Sequence, residues 1–194
     1  MNTPHKPQLQ AHSSPFERLL SFTRGIIPGI KRKIQQKAIN REWKYIVIHH
    51  SATKDSRTGR ATEAIRRYHI EQKGWRDIGY HYLIEYLPDG LPTLRTGRGL
   101  SEIGAHVYIK DIDQPWYFNQ NAIGICIVGD FDRARPPEDK LKFTAQLVRQ
   151  LMWLCEIPKE DVIGHGEAHE RKGSRLIRTC PGNLFNMDKF RALL

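Results

Sequence analysis

Nothing in the 194-residue chain is apolar for long enough to cross a bilayer, since no run approaches the roughly 18–20 residues that a spanning helix needs. Met1–Pro15 is polar, and nothing before Lys44 joins an apolar stretch to a small-residue cleavage site, so export by a cleaved signal is not expected. Cysteine is scarce: three residues, an odd number without framework-like spacing. No internal repeat is visible. Acidic residues are the minority, 21 against 31 Lys and Arg, which leaves a net charge of +10. What is present, 39% hydrophobic and 27% charged residues, describes a soluble globular chain with one main domain and an appendage.

The charge is uneven. Nine of the Lys and Arg residues fall within residues 1–44, opposed there only by Glu17 and Glu42. Residues 1–40 are therefore set apart as a basic extension, partly amphipathic through Phe16, Leu19, Leu20, Phe22, Ile26 and Ile27. Such a segment is attracted to polyanions, and contact with an anionic envelope surface is expected through residues 16–44. The alternative is a terminal helix packed on the main domain, with its charges in solvent.

Residues 41–194 alternate strand and helix patterns. Tyr45–His50 reads as a buried strand ending on two histidines. Ile65, Tyr68, His69 and Gln72 follow helical spacing, which Gly74 ends. Ile78–Tyr86 reads as a strand, turned back by Pro88-Asp89-Gly90 into a short one at 92–95. Residues 97–120 form a long polar loop of the kind that often binds ligands. The nearly continuous apolar run Ala122–Gly129 fits a central buried strand. A helix should begin after Pro136-Pro137, a short strand should occupy 162–164, and a helix should close the chain from Asp188. The expected fold class is α/β, with a central mixed β-sheet flanked by helices.

Two strands in this reading end on histidine. If they run side by side, His49 and His165 reach one sheet edge. Cys180, in the polar Arg178-Thr179-Cys180-Pro181-Gly182 loop, is poorly explained by packing. Cys126 and Cys155 read instead as small buried hydrophobes. Two imidazoles and a thiolate suit zinc, and three protein ligands leave a position for water. His50 should face away from His49, because strand side chains alternate. His69 and His81 read as structural.

Five segments occur in order: His49-His50-Ser51-Ala52-Thr53, Ile65-Arg66-Arg67-Tyr68-His69, Gly74-Trp75-Arg76-Asp77-Ile78-Gly79-Tyr80-His81-Tyr82, Asn121-Ala122-Ile123-Gly124-Ile125, and Gly164-His165 with Thr179-Cys180-Pro181-Gly182. Over roughly residues 43–192 the chain resembles the zinc-dependent N-acetylmuramoyl-L-alanine amidases, which include bacteriophage lysozyme-amidases and animal peptidoglycan recognition proteins. The resemblance implies a zinc cofactor held by His49, His165 and Cys180. It implies Tyr80 as a catalytic group beside the scissile carbonyl, and His106 and Asn121 as groove residues that contact sugar or peptide. Arg178 stands where the phage enzymes carry a lysine; it keeps the charge for an oxyanion but cannot give up a proton. Cys126 stands where the anhydro-muropeptide amidases carry a glutamate, which leaves Tyr80 as the remaining candidate for proton transfer. The gap between His165 and Cys180 is long, and His169–Arg175 reads as an inserted, mobile, basic loop at the rim.

The implied activity is hydrolysis of the amide between N-acetylmuramic acid and L-alanine by zinc-activated water, in a phage- or prophage-type endolysin. A cytosolic muropeptide-recycling amidase and a non-catalytic peptidoglycan-binding module are the alternatives. The partner is peptidoglycan, with no nucleic acid expected and a monomer expected. The chain would be made in the bacterial cytoplasm and act on the wall in the periplasm or envelope.

Overall fold

The computed structural model describes residues 39–194. Nearly all of the basic extension expected over 1–40 therefore lies outside the described residues. Five strands, β1 (Tyr45–His50), β2 (Tyr82–Tyr86), β3 (Pro92–Thr96), β4 (Ala122–Ile127) and β5 (Val162–Gly164), form one sheet in the order β3-β2-β4-β1-β5. β1 runs parallel to both β4 and β5, and β2 runs parallel to β4 and antiparallel to β3, so the sheet is mixed as expected. The apolar run at 122–127 is the middle strand and is buried along its whole length.

The helices are α1 (Ala61–Arg67), α2 (Tyr117–Asn121), α3 (Glu138–Cys155), α4 (His165–Arg171) and α5 (Met187–Arg191). Pleat alternation divides β1 between two cores. Ile46 and Ile48 join Ile123, Ile125 and Ile127 in a core that takes Ala145, Val148 and Leu151 of α3 and Phe190 of α5. On the other face, Val47 packs with Val107, Ile109 and Phe118 of the long loop region and Ala168 of α4. Ile65 of α1 closes a third cluster over Leu83 and Cys126. No helix among the described residues is long and apolar enough to cross a membrane.

Three expectations are revised by the structure. The second strand begins at Tyr82 rather than Ile78, because Gly79 turns its carbonyl aside to accept from Ala105 N (2.9 Å) in the long loop. The first helix does not stay regular: its end widens into a π-helical turn, Tyr68–Gln72, with Lys73 N reaching back to Tyr68 O. That turn buries His69 while leaving Tyr68 exposed. Finally, His169–Arg175 is not a free loop at the rim. Its first residues end α4, and Asp111 then accepts from Ser174 Oγ (2.7 Å) and Arg175 N (2.8 Å), which ties the segment to the long loop.

Candidate metal centre

β1 delivers His49 and His50 to opposite faces. His50 is spent structurally, with its Nδ1 accepting from Phe131 N at 3.0 Å. His49 is buried on the face of Val47. β5 pairs alongside β1, with Ile48 opposite Gly164, so His165, the first residue of α4, leaves the sheet beside His49. Their ring centroids are 4.7 Å apart. The head of α4 is held by Glu167, which accepts from Gly164 N (2.8 Å) and pairs through both oxygens with Arg191 of α5 (2.9 Å each). Cys180 arrives from the far loop. Gly166 N donates to Cys180 O (2.7 Å), and a Cβ on Gly166 would lie 2.4 Å from Arg178 O, so only glycine lets this loop settle so close to α4. Cys180 Sγ lies 3.7 Å from His49 Nδ1, and one ligand atom from each of His49, His165 and Cys180 falls within 4.8 Å of the others.

The electrostatics suit a cation. Burial, then the charges of neighbouring histidines, push His49 well below its ordinary value, and burial with the nearby His169 and Arg178 brings His165 down to about 3. Both imidazoles are therefore neutral, with a lone pair to give. Burial pushes the Cys180 thiol up to about 12, so without a counter-charge it keeps its proton. Two neutral imidazoles and a thiol that ionises against a metal form a fitting set for a borderline-soft divalent ion.

Tyr80 stands over this cluster, its ring 5.2 Å from that of His49, with its hydroxyl bonded to the Cys126 thiol. Burial and the two nearby thiols hold Tyr80 well above the ordinary tyrosine value. It stays protonated and is a hydrogen-bond donor rather than a base. Burial also raises the Cys126 thiol, so it offers no thiolate for proton transfer. Arg178 is exposed at the rim, near enough for its charge to depress His165. A groove of about 630 Å³ opens beside Tyr80, between the loop after β1 and helix α1, lined in part by Ser51, Lys54, Arg60, Tyr68 and His69. His69 braces it from within: its Nδ1 accepts from Gly79 N (3.2 Å) and its ring packs on Trp75 (4.6 Å).

Two of the expected groove residues lie elsewhere. Asn121 immediately precedes Ala122, which pairs with Tyr45, the first residue of β1. It thus sits at the opposite end of β4 from the Cys126 position that pairs with His49, five residues and about 16 Å away along the strand at ~3.3 Å per residue. Its side chain is used locally, donating to Tyr117 O (2.8 Å). His106 is near the cluster but behind it: it is 8% exposed, with Nδ1 3.0 Å from His49 Nε2 and Nε2 3.1 Å from Ala122 O. Neither ring nitrogen is free for a substrate. The sequence also gave no sign of Asn119, whose buried Oδ1 accepts from both His106 N (2.7 Å) and Val107 N (2.8 Å). The one available clue was Gly124, a glycine inside a central strand, which marks a close approach. There the His106 ring lies over the strand.

Comparison with known proteins agrees with this architecture. Residues 39–183 match the family model described as N-acetylmuramoyl-L-alanine amidase. The endolysin of Escherichia phage T7 is 40% identical over 100 residues, covering 52% of this chain and 53% of that protein. Peptidoglycan-recognition protein LB of Drosophila melanogaster is 30% identical over 146 residues, covering 71% of this chain and 54% of that one. The match thus spans only about half the length of these relatives. Among solved structures, the endolysin amidase LysCS of Clostridium intestinale URNW superposes with a TM-score of 0.59 at 28% identity, over 79% of this chain and 84% of that one. Peptidoglycan recognition protein-LE, solved in complex with tracheal cytotoxin, a monomeric diaminopimelic acid-type peptidoglycan, does so with a TM-score of 0.60 at 25% identity, over 78% and 81%. With its whole sheet and three quarters of its length accounted for by one family model, the chain belongs to the N-acetylmuramoyl-L-alanine amidase family.

Proposed function

We propose that the protein is a zinc-dependent peptidoglycan amidase of the phage-endolysin type, which hydrolyses the amide between N-acetylmuramic acid and L-alanine. The observation that carries this reading is the convergence of His49, His165 and Cys180 beside Tyr80, a residue that also lines a groove. The likeness to phage endolysins supports the choice of substrate.

His49 Nδ1, a ring nitrogen of His165 and Cys180 Sγ would hold the ion. Bound there, zinc supplies an activated water at neutral pH and a Lewis-acid contact for the scissile carbonyl. The chain's own groups do the rest. Tyr80, kept protonated, donates a hydrogen bond to the carbonyl oxygen as negative charge develops on it. Arg178 adds positive potential from the rim without releasing a proton. Lys54 and Arg60 line the groove with charge that attracts peptide carboxylates. The basic residues in 16–44 would draw the protein to the anionic envelope, where the wall is its substrate.

The test is metal analysis together with release of new L-alanine amino termini from purified sacculi, for the wild type and Cys180→Ala. The wild type should carry about one zinc and cleave, and the variant should do neither. Zinc and rate that persist in the variant would refute the ligand assignment. Binding to sacculi without cleavage by the zinc-loaded wild type would favour a recognition module.

A further inference from the structure

The buried histidine behind the cluster has a role that follows from hydrogen-bond logic alone. The Ala122 carbonyl can only accept, so the proton on His106 must be on Nε2, which lies 3.1 Å from it. Both rings of the His106–His49 pair are buried and no carboxylate among the described residues is bonded to either, so neither has a partner for a buried positive charge. A neutral His106 protonated on Nε2 has a bare lone pair on Nδ1. That lone pair lies 3.0 Å from His49 Nε2, so His49 must carry its own proton there. The nitrogen left bare on His49 is Nδ1, and Nδ1 is the atom that faces Cys180 Sγ.

Resting on the metal reading given above, we propose that His106 is a positioning residue: through the chain Ala122 C=O, His106, His49 it fixes the tautomer and ring orientation in which His49 offers Nδ1 to the metal. The fold is built to hold this ring still. A Cβ on Gly104 would lie 2.4 Å from His106 Cδ2, and one on Gly124 would lie 2.5 Å from it, so both glycines make room for the ring. Asn119 grips the His106 backbone N–H, while His81 Nδ1 accepts from Gly124 N (2.9 Å) and keeps the floor in place. The Gly124 of the Asn121-Ala122-Ile123-Gly124-Ile125 segment thus serves the metal at one remove.

The experiment uses the full chain as wild type, His106→Leu and His106→Asn. Cobalt(II) and zinc affinities are read by chelator competition and by the cobalt(II) absorption spectrum, and heteronuclear NMR of the imidazole nitrogens is recorded on the metal-free wild type. Loss of the acceptor in His106→Leu should weaken metal binding about 10–100-fold, the usual effect of removing such a support. His106→Asn places a carbonyl oxygen close to the lost Nδ1 and should keep most of the affinity, although it fills the space less well than leucine. If the residue served packing alone, that order would reverse, with leucine the better replacement, and the proposal would fall. It would fall equally if His106→Leu bound metal as the wild type does, or if NMR placed the His49 proton on Nδ1. A wild type that bound neither ion would sink the metal reading itself, and the NMR result, which needs no metal, would still decide the tautomer.

Discussion

Replacing Gly124 with alanine sets two expectations against each other. Gly in a strand interior is costly, so on backbone grounds alone alanine should stabilise by about 0.5–1 kcal/mol. The structure requires the opposite sign. The new methyl would lie 2.5, 2.6 and 2.8 Å from Cδ2, Cγ and Nε2 of His106, where ordinary contact begins near 3.4 Å. The ring would have to retreat by roughly 1 Å, which takes the 3.0 Å bond to His49 beyond useful hydrogen-bond range. Overpacking costs about 1–3 kcal/mol and a buried group left unpaired a similar amount, so a net loss of ~2–4 kcal/mol is expected. For a chain of this size that lowers the melting temperature by about 5–15 °C. Metal affinity should fall with it. The assay is thermal unfolding of the metal-free protein together with chelator competition, carried through a double-mutant cycle with His106→Ala. In that background the methyl enters the space the imidazole left, so a coupling of roughly 1–3 kcal/mol is expected. A Gly124→Ala protein with wild-type melting temperature and metal affinity, or an additive cycle, would refute the reasoning.

Tyr80→Phe should retain its metal and lose about 10²–10³ in kcat, the usual effect of deleting one donor to a developing oxyanion; loss of metal or an unchanged kcat would contradict the donor role. Lys140 is 1% exposed, paired with Asp55, and donates to Val128 O at 2.6 Å, so Lys140→Met strands a carboxylate and should cost about 3–5 kcal/mol in urea unfolding. Asp55 also accepts from Arg57 N and Tyr86 N, so the same variant should loosen the groove wall and raise KM; a cost below ~1 kcal/mol would show that the pair is dispensable. His81 is held by burial at about 4 against an ordinary 6.5, so the folded state binds fewer protons than the unfolded one between those values. Its contribution is complete above about pH 6.5 and is lost as pH falls towards 4, a change of ~3 kcal/mol. His81→Gln should flatten the fall in unfolding free energy over that range, and an unaltered slope would assign the acid sensitivity to other groups.

Elements with a strong local signature were legible in the sequence. Alternation in β1 separates His49 from His50, and β5 beside it places His165 at the same edge. What escaped was set by tertiary contact. The wording around Asn121 marks the start of a strand, and strand register places that start far from the cluster. His106 lies in a loop, where no period says which way a side chain turns. Its partner is 57 residues away in the chain, and its burial depends on two glycines and on Asn119. The widened turn at Tyr68–Gln72 is similarly hidden, because its apolar spacing reads as an ordinary helix. His169–Arg175 looked free because its tether, Asp111, lies in another loop.

The separation of the ligands has a mechanical side. His49 belongs to the first strand of the described region, while Cys180 lies 131 residues later, carried in by the three-residue edge strand β5 and the segment after it. An ion gripped by both is a clasp between the beginning and the end of the domain. It resists the peeling of β5 and α4 from the sheet edge, the motion that a short edge strand permits most easily. Loading with metal should therefore protect the region from 162 onward against proteases far more than it protects the β2–β3 hairpin, which sits on the opposite edge and takes no part in the clasp.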